Sequence, residues 1–526
     1  MVEELCCLLQ QIVILPPRGP DLEHWGSPVS EAPYQGQAWD KHKAFWSWVR
    51  WSLTAFPRGD APKLEERRLN MRTIGIDLAV TAAHKAVVMA ENGQFVTPVI
   101  SFHSRWEEIE DLVAQAREGV EADEPLRAVM EPTGMAWLTV AVPLSRLGVT
   151  VYLVNGRRVK DLRRYYKRHA SSDRISARVL AKLPLVDEES LYPLILPTPT
   201  QLACQRGCKQ DDQLQTMITA TKNRLKDRDR FAWPGLGRKV FRDLYSPAAR
   251  RFREAWYDPA AVIEVGVGGV RQALADVANE KELARLGKLV EYAIEALNLY
   301  GLQAIDYQRL QEEACRDQRL LAHLKREQEA LNREIVQPLY SELHPSGHLE
   351  TIPGVGPKGS AVYASFIGLP ERFPDNRHFR GWHGMVPDSR QSGDAESKGL
   401  RISRAGPGLI KKYAYLNADV ARRHDPQIAA IYYDQMVNKG KHHNQAVCAC
   451  ATHLLDRVCA VLREDRPYEL RDMDGTPITP EEARTIIVEL YKVPEKVRKR
   501  NSRRARKEQR EERMERQQQK GSRPRR

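Results

Sequence analysis

The chain is 526 residues long, 42% hydrophobic and 29% charged, enough apolar material for two to four domains with their own cores. No apolar run approaches the ~18 residues that cross a bilayer, the N-terminus lacks the basic stretch and cleavage pattern of a signal peptide, and the eight cysteines include no CxxC pair. These features argue against a membrane span, a disulfide framework or a zinc ribbon, and for a cytoplasmic protein. The formal charge of +13 favours a polyanionic partner, but it is unevenly spread: Val493 to Arg526 hold fifteen Lys or Arg against five Glu, +10 of the total. Such a tail reads as a nucleic-acid arm or as a solvated charge run.

Residues 1–70 are rich in Pro, Gly and Trp, show no sustained period, and end at Met71 directly before a well-formed strand. They are expected to be a poorly ordered extension, or to precede the native start. In "MRTIGIDLAV" the side chains Ile74, Ile76 and Leu78 alternate with Gly75, Asp77 and Ala79, which predicts a half-buried strand with Asp77 on the opposite face. "HKAVVMA" and "QFVTPVI", separated by Asn92-Gly93, predict a hairpin. A helix over "RWEEIEDLVAQAREG", a strand at "LRAVMEP", a helix at "AWLTVAVPLSRLG", a strand at "VTVYLVN", a basic segment and a helix at "DRISARVLAKL" follow. Three antiparallel strands and then strand–helix alternation is the order of an RNase H-like α/β domain, placed at 71–190.

Residues 191–345 read as mostly helical. Leu321, Leu324, Leu331 and Ile335 keep a 3/4 spacing among charged residues, the pattern of a coiled coil or of a helix packed on its own core. A second, mainly helical domain is expected at 346–465, and a basic tail at 466–526. The second domain opens with "TIPGVGPKGSAVYASFIG", where Gly354 and Gly356 lie ahead of Lys358. Such a turn either frees backbone N–H groups for phosphate, as in helix-hairpin-helix elements, or makes a tight helix–helix connection.

Two places could carry chemistry. Asp77 on the first strand and Glu131 at the end of the fourth would be neighbours in an RNase H-like sheet, and a helix starting at Asp173 could meet them. Three converging carboxylates repel unless a cation neutralises them, and hard divalent ions about 4 Å apart do so in phosphoryl-transfer sites. Taken singly, the three are a strand-edge residue, a residue before a proline turn and an N-cap. The other place is the loop "PDSRQSGDAESKGLRISRAGPG", with Ser389, Ser392, Ser397 and Ser403 among Arg390, Arg401 and Arg404. An arginine-held phosphate beside a hydroxyl would be a nucleophilic arrangement, while a plain loop is the simpler reading. "HHNQAVCACATHLLDRVC" reads as a core helix with buried thiols, not as a zinc site.

"IGIDLA", "MEPTG" and "SDRISARVLA" resemble the RuvC-like DEDD domain of the insertion-sequence transposases of family one hundred and ten. "IPGVGPKGSAVYASFIG", "FRGWHGMVP", "SG" ahead of "RISRAG", and "HNQAVCACATHLLDRVCAVLRED" resemble that family's C-terminal transposase domain. The resemblance covers about 72–465. It implies a prokaryotic, nucleoid-associated recombinase of mobile DNA, guided by a structured bridge RNA and working as a homo-oligomer with composite sites. It further implies Mg²⁺ on Asp77, Glu131 and Asp173, and Ser392 as nucleophile with Ser389 as its rival; Gly354, Gly356, Lys358, Arg401 and Arg404 are expected on nucleic acid from the turn and the arginines themselves. One departure stands out, since Ser176 occupies the place of the family's fourth acid. The alternatives are a RuvC-like nuclease or junction resolvase without a covalent intermediate, and a catalytically inert nucleic-acid-binding relative.

Overall fold

The computed structural model describes residues 71–501 apart from 122–123, 167–172, 189–190, 236–238, 302–303, 388–390, 393–394, 397–401 and 404. The expectations for residues 1–70, Ser389, Arg401, Arg404 and the tail beyond Asn501 lie outside it.

Strands β1 (Arg72–Asp77), β2 (His84–Met89), β3 (Ile100–Phe102), β4 (Leu126–Met130) and β5 (Val149–Leu153) form one sheet in the order β3-β2-β1-β4-β5. The first two pairings from β3 to β1 are antiparallel, and β1, β4 and β5 run parallel. This mixed sheet, followed by a mostly helical remainder, fits an RNase H-like transposase domain. The Asn-Gly turn forms as expected, with Gly93 at φ 82° and the Ala90 N–H donating to the Gln94 carbonyl at 2.9 Å. The third strand differs from the expected "QFVTPVI": only Phe95 bridges β2 there, and regular pairing begins at Ile100. Pro98 lies in the interval and offers no N–H to a ladder.

Alternation along β1 separates two layers. Ile74, Ile76 and Leu78 enter a core with Ile109 and Leu112 of α1 (Trp106–Arg117) and Val140 and Leu144 of α2 (Ala136–Arg146). Gly75 faces the other side, and α4 (Asp173–Val186) lies directly on it. Between β5 and α4 comes the basic helix α3 (Gly156–Tyr166).

Beyond the sheet, α5 (Pro199–Ala232), capped by Thr198, and α10 (Tyr307–Leu331) make an antiparallel hairpin. Its register is marked by Arg224 on Asp317 at 2.8 Å and by Gln328 on the Asp211 carbonyl at 3.3 Å. The hairpin's far end is capped by α6 (Pro247–Ala255), α7 (Pro259–Leu274), α8 (Glu280–Arg285) and α9 (Leu289–Tyr300). Leu321 and Leu324 are consumed in that core with Trp233, Phe252 and Leu289, so this part of the stripe packs within its own chain.

The other end of the hairpin belongs to the C-terminal core. Cys204, Cys208, Leu331 and Val336 pack with α11 (Gln337–Leu343), α12 (Pro357–Ile367), α13 (Asn376–His383), α14 (Gly408–Ala421), α15 (Pro426–Tyr433) and α16 (His443–Glu464). The expected boundary at 345 is therefore corrected, because residues of α5 and α10 complete this core. Helix α16 is long and apolar enough to cross a membrane by length and composition, but its apolar face supplies the core through Val447, Cys450, Leu454 and Val458. Burial pushes the Cys450 thiol up to about 12. The expected tail at 466–526 is corrected as well. Residues 470–478 form a turn closed by Ile478 on Leu470 at 3.0 Å, α17 (Pro480–Leu490) follows, and residues 495–501 are helical. Val493 and Val497 anchor this extension in the core, which explains why it folds despite its charge.

Candidate active site

The β1–β4 register pairs Ile76 with Met130, so the next residues on each strand, Asp77 and Glu131, emerge side by side at the carboxyl edge of the sheet. Both are half-buried. The direction of α4 follows from its surroundings. Arg127, near the start of β4, donates to Thr73 Oγ1 at 2.7 Å and to Glu188, just past the end of α4, at 2.7 Å. The helix thus ends over the strand starts and begins over the strand ends, which brings the backbone of Asp173 toward Asp77 and Glu131.

Two glycines permit this crowding. A Cβ on Gly75 would run into the backbone of Ala177 and Ala181, so only glycine lets α4 lie this close to β1. A Cβ on Gly156, at the start of α3, would meet the Glu131 carboxylate. The acid therefore fills a cradle left by the missing side chain. An edge lined with carboxylate oxygens and no soft ligand suits a hard cation such as Mg²⁺. Among the described residues no three metal-ligating side chains cluster. Asp173, the third member of the proposed set, is described by its backbone. Ser176 is buried, 3% exposed, on the inner side of α4 beside Ala177.

His84 escaped the sequence reading. It is 4% exposed at the start of β2; its Nδ1 accepts the Ala79 N–H at 3.1 Å and its Nε2 lies 2.9 Å from Ser104 Oγ. The ring thereby ties down the turn that follows Asp77. Burial holds its pKa below the ordinary histidine value, with His103 adding to the effect, which favours the neutral ring. A histidine opening an apolar strand seven residues after the end of β1 was the available signal.

The serine loop stands on the C-terminal domain. Ser392 lies on the two-residue strand β6 (Gln391–Ser392), paired with Ala395 of β7 (Ala395–Glu396). The loop's base is fixed. The Ser403 N–H donates to the Val386 carbonyl at 2.8 Å, and Lys411 donates to the carbonyls of Ala405 at 2.6 Å and Ser403 at 3.3 Å. Burial lowers the Lys411 pKa. Gly384 and Gly406, both with positive φ, press the two ends of the loop against each other.

The Gly-Val-Gly turn follows a 3-10 turn at His348–Thr351 and leads into α12, with Gly356 as N-cap. Gly354 has φ 85° and packs on the backbone of Asn417 and Ala421, so its first role is the close helix approach. Space beside Gly356 is open. The Lys358 amine donates to Asp211 Oδ1 at 2.8 Å, and Asp211 is only 5% exposed.

Residues 74–228 match the transposase family model of the IS110 DEDD type, and residues 346–433 match that of the IS116/IS110/IS902 transposase family. The chain belongs to the IS110 family of transposases. It is 27% identical to an IS110 insertion-element protein of 43.6 kDa from Streptomyces coelicolor, over 61% of this chain and 77% of that protein. It is also 27% identical to the pilin gene-inverting protein of Moraxella bovis over 24% of the chain and 40% of the relative. An IS900 insertion-element protein of Mycobacterium paratuberculosis is 30% identical over 28% of the chain and 39% of that protein. Membership makes the chain a transposase or recombinase, an enzyme acting on DNA.

Proposed function

We propose that this transposase cuts and rejoins DNA through a serine-linked intermediate, using carboxylates on the sheet edge and Ser392 of the C-terminal loop. The observation that carries the reading is the β1–β4 register, which sets Asp77 beside Glu131 where α4 begins. In the step itself the Ser392 oxygen forms a bond to phosphorus, its proton leaves to solvent and a sugar oxygen departs. One ester replaces another, so the reverse attack by a different strand end rejoins DNA without an external energy source. Asp77, Glu131 and Asp173 would hold Mg²⁺, which when bound neutralises phosphate charge. Ser176 adds no charge to that set, and the site works on three carboxylates. Because Ser392 and the acids lie on separate domains, the composite site is completed in a homo-oligomer, where one copy's loop meets another's sheet edge. Guidance by a structured RNA, and a cytoplasmic place of action on the nucleoid, rest on family membership alone.

The test combines protein, Mg²⁺, RNA transcribed from the flanking sequence and labelled donor DNA, read on a denaturing gel. A protein–DNA adduct is expected, lost in Ser392→Ala and in Asp77→Asn, and absent when the RNA is omitted. Cleavage without an adduct would sink the serine reading and leave a nuclease. The replacement of the fourth acid by Ser176 favours a second reading, an inert binder, which predicts neither product.

A further inference from the structure

The folded extension 466–501 lies beyond both matched regions, the second of which ends at 433. Its last turn is pinned with unusual care. Asn501 is 4% exposed and its amide donates to the carbonyls of Met436 and Lys441, both at 2.9 Å. Met436 sits in a π-helical turn, Asp434–Asn438, so the pin closes a place where the backbone carbonyls lack regular helical partners. Val493 and Val497 face inward on the same segment. The outermost positions of the helix are taken by the Glu495–Lys499 pair, and to either side of it Lys496, Arg498 and Arg500 are exposed and make no ion pair among the described residues.

The acids around this segment are already committed. Glu495 pairs with Lys499 at 2.6 Å, Asp434 with Lys439 at 2.7 Å, and Asp419 with Arg422 at 2.7 Å and Arg423 at 3.1 Å. Arg422 also lies over the Tyr432 ring at 4.4 Å. Arg498 is near enough to Tyr432 and His443 to act electrostatically on both. A ridge of surplus positive charge results, and the sequence beyond Asn501 adds eleven Lys or Arg against four Glu. A solvated charge run needs no buried asparagine to hold its root. A membrane-surface helix would turn its apolar residues outward, whereas these valines are inside.

We propose that residues 495–501, with the adjoining loop at 439–443, form a docking ridge for the phosphodiester backbone of duplex DNA, with Lys496, Arg498 and Arg500 as the phosphate contacts. The inference rests on the reading of the chain as an enzyme acting on DNA. It adds a binding site beyond both matched regions, one that holds flanking duplex irrespective of base sequence. Asn501 is its positioning residue.

The test uses the full chain and a duplex of about 40 base pairs, with binding followed by anisotropy between about 50 and 300 mM KCl. The variant Lys496→Ala/Arg498→Ala/Arg500→Ala should lower the slope of log affinity against log salt by about 2 to 3, at about 0.9 per phosphate contact. Its thermal midpoint should stay unchanged. Asn501→Ala should lose part of the same slope by releasing the helix. A triple variant with the wild-type slope overturns the proposal, as does a loss confined to RNA. A wild-type protein that shows the salt slope but forms no adduct overturns the serine reading and leaves the ridge standing.

Discussion

His383 is the sharpest single-residue case of a side chain whose chemistry comes from its surroundings. It is fully buried where the serine loop departs, its ring is 4.9 Å from Phe379, and its Nδ1 accepts the Met385 N–H at 3.0 Å. That bond fixes the tautomer with the proton on Nε2, which has no partner among the described residues. Burial lowers its pKa to about 4; nearby Arg380 and Lys411 push the same way and Asp456 opposes them. In the unfolded chain the ring takes up a proton near pH 6.5, while the folded chain refuses it until about pH 4. Stability from this group is therefore full above about 6.5 and falls as pH drops through the window, by about 3 kcal/mol in all. His383→Asn keeps an acceptor for Met385 and removes the titration. Urea midpoints at neutral and mildly acid pH should converge for wild type and variant as the pH falls, and parallel curves would refute the assignment. The sequence shows "WHGMVP" but not that the ring is buried, because burial is set by Phe379 and the packed glycine pair, neither of which has a period to read.

At the scale of elements, the contact between α4 and β1 decides whether the acids can meet. Gly75→Ala would place a methyl group inside the backbone of α4 rather than against a flexible side chain, so the helix must shift. Overpacking of this kind costs about 1–3 kcal/mol. The shift moves the start of α4, which carries Asp173, so adduct formation should fall by more than the folded fraction does. Circular dichroism beside the adduct assay separates the two, and equal losses would show that the contact only supports the fold. The sheet itself was legible because strand alternation and the Asn-Gly turn are local, and the neighbouring positions of Asp77 and Glu131 follow from strand order. The leucine stripe was legible only in part. Spacing from Leu331 puts Ile335 on the inner face, yet Ile335 is 46% exposed and Val336 only 1%. The π turn at Asn332–Val336 inserts an extra residue into the repeat and rotates everything after it, which a 3/4 count cannot anticipate.

Across the whole molecule, α5 is the member that ties the parts together: Cys204 and Cys208 belong to the C-terminal core, Ile218 and Leu225 to the core at the hairpin's far end. Asp211 sits between those two stretches, buried, receiving Lys358 at 2.8 Å and Asn332 Nδ2 at 2.5 Å. The pair joins the start of α12 to both helices of the hairpin, one of them at the π turn. Two roles for Lys358 then make opposite predictions. As a phosphate contact it would be replaced by Met at little cost in stability and with a loss of about 0.9 in the salt slope of duplex binding. As the partner of a buried carboxylate, its removal leaves Asp211 with Asn332 and little solvent, which costs about 1–3 kcal/mol after allowing for the half-open side of the amine. The pairing at 2.8 Å favours the second outcome for Lys358→Met: a lower denaturant midpoint with the salt slope intact. The ridge variants should do the reverse, losing slope while keeping the midpoint. Measuring both quantities on both sets of variants therefore distinguishes the charges that hold the enzyme's domains together from those that hold its DNA.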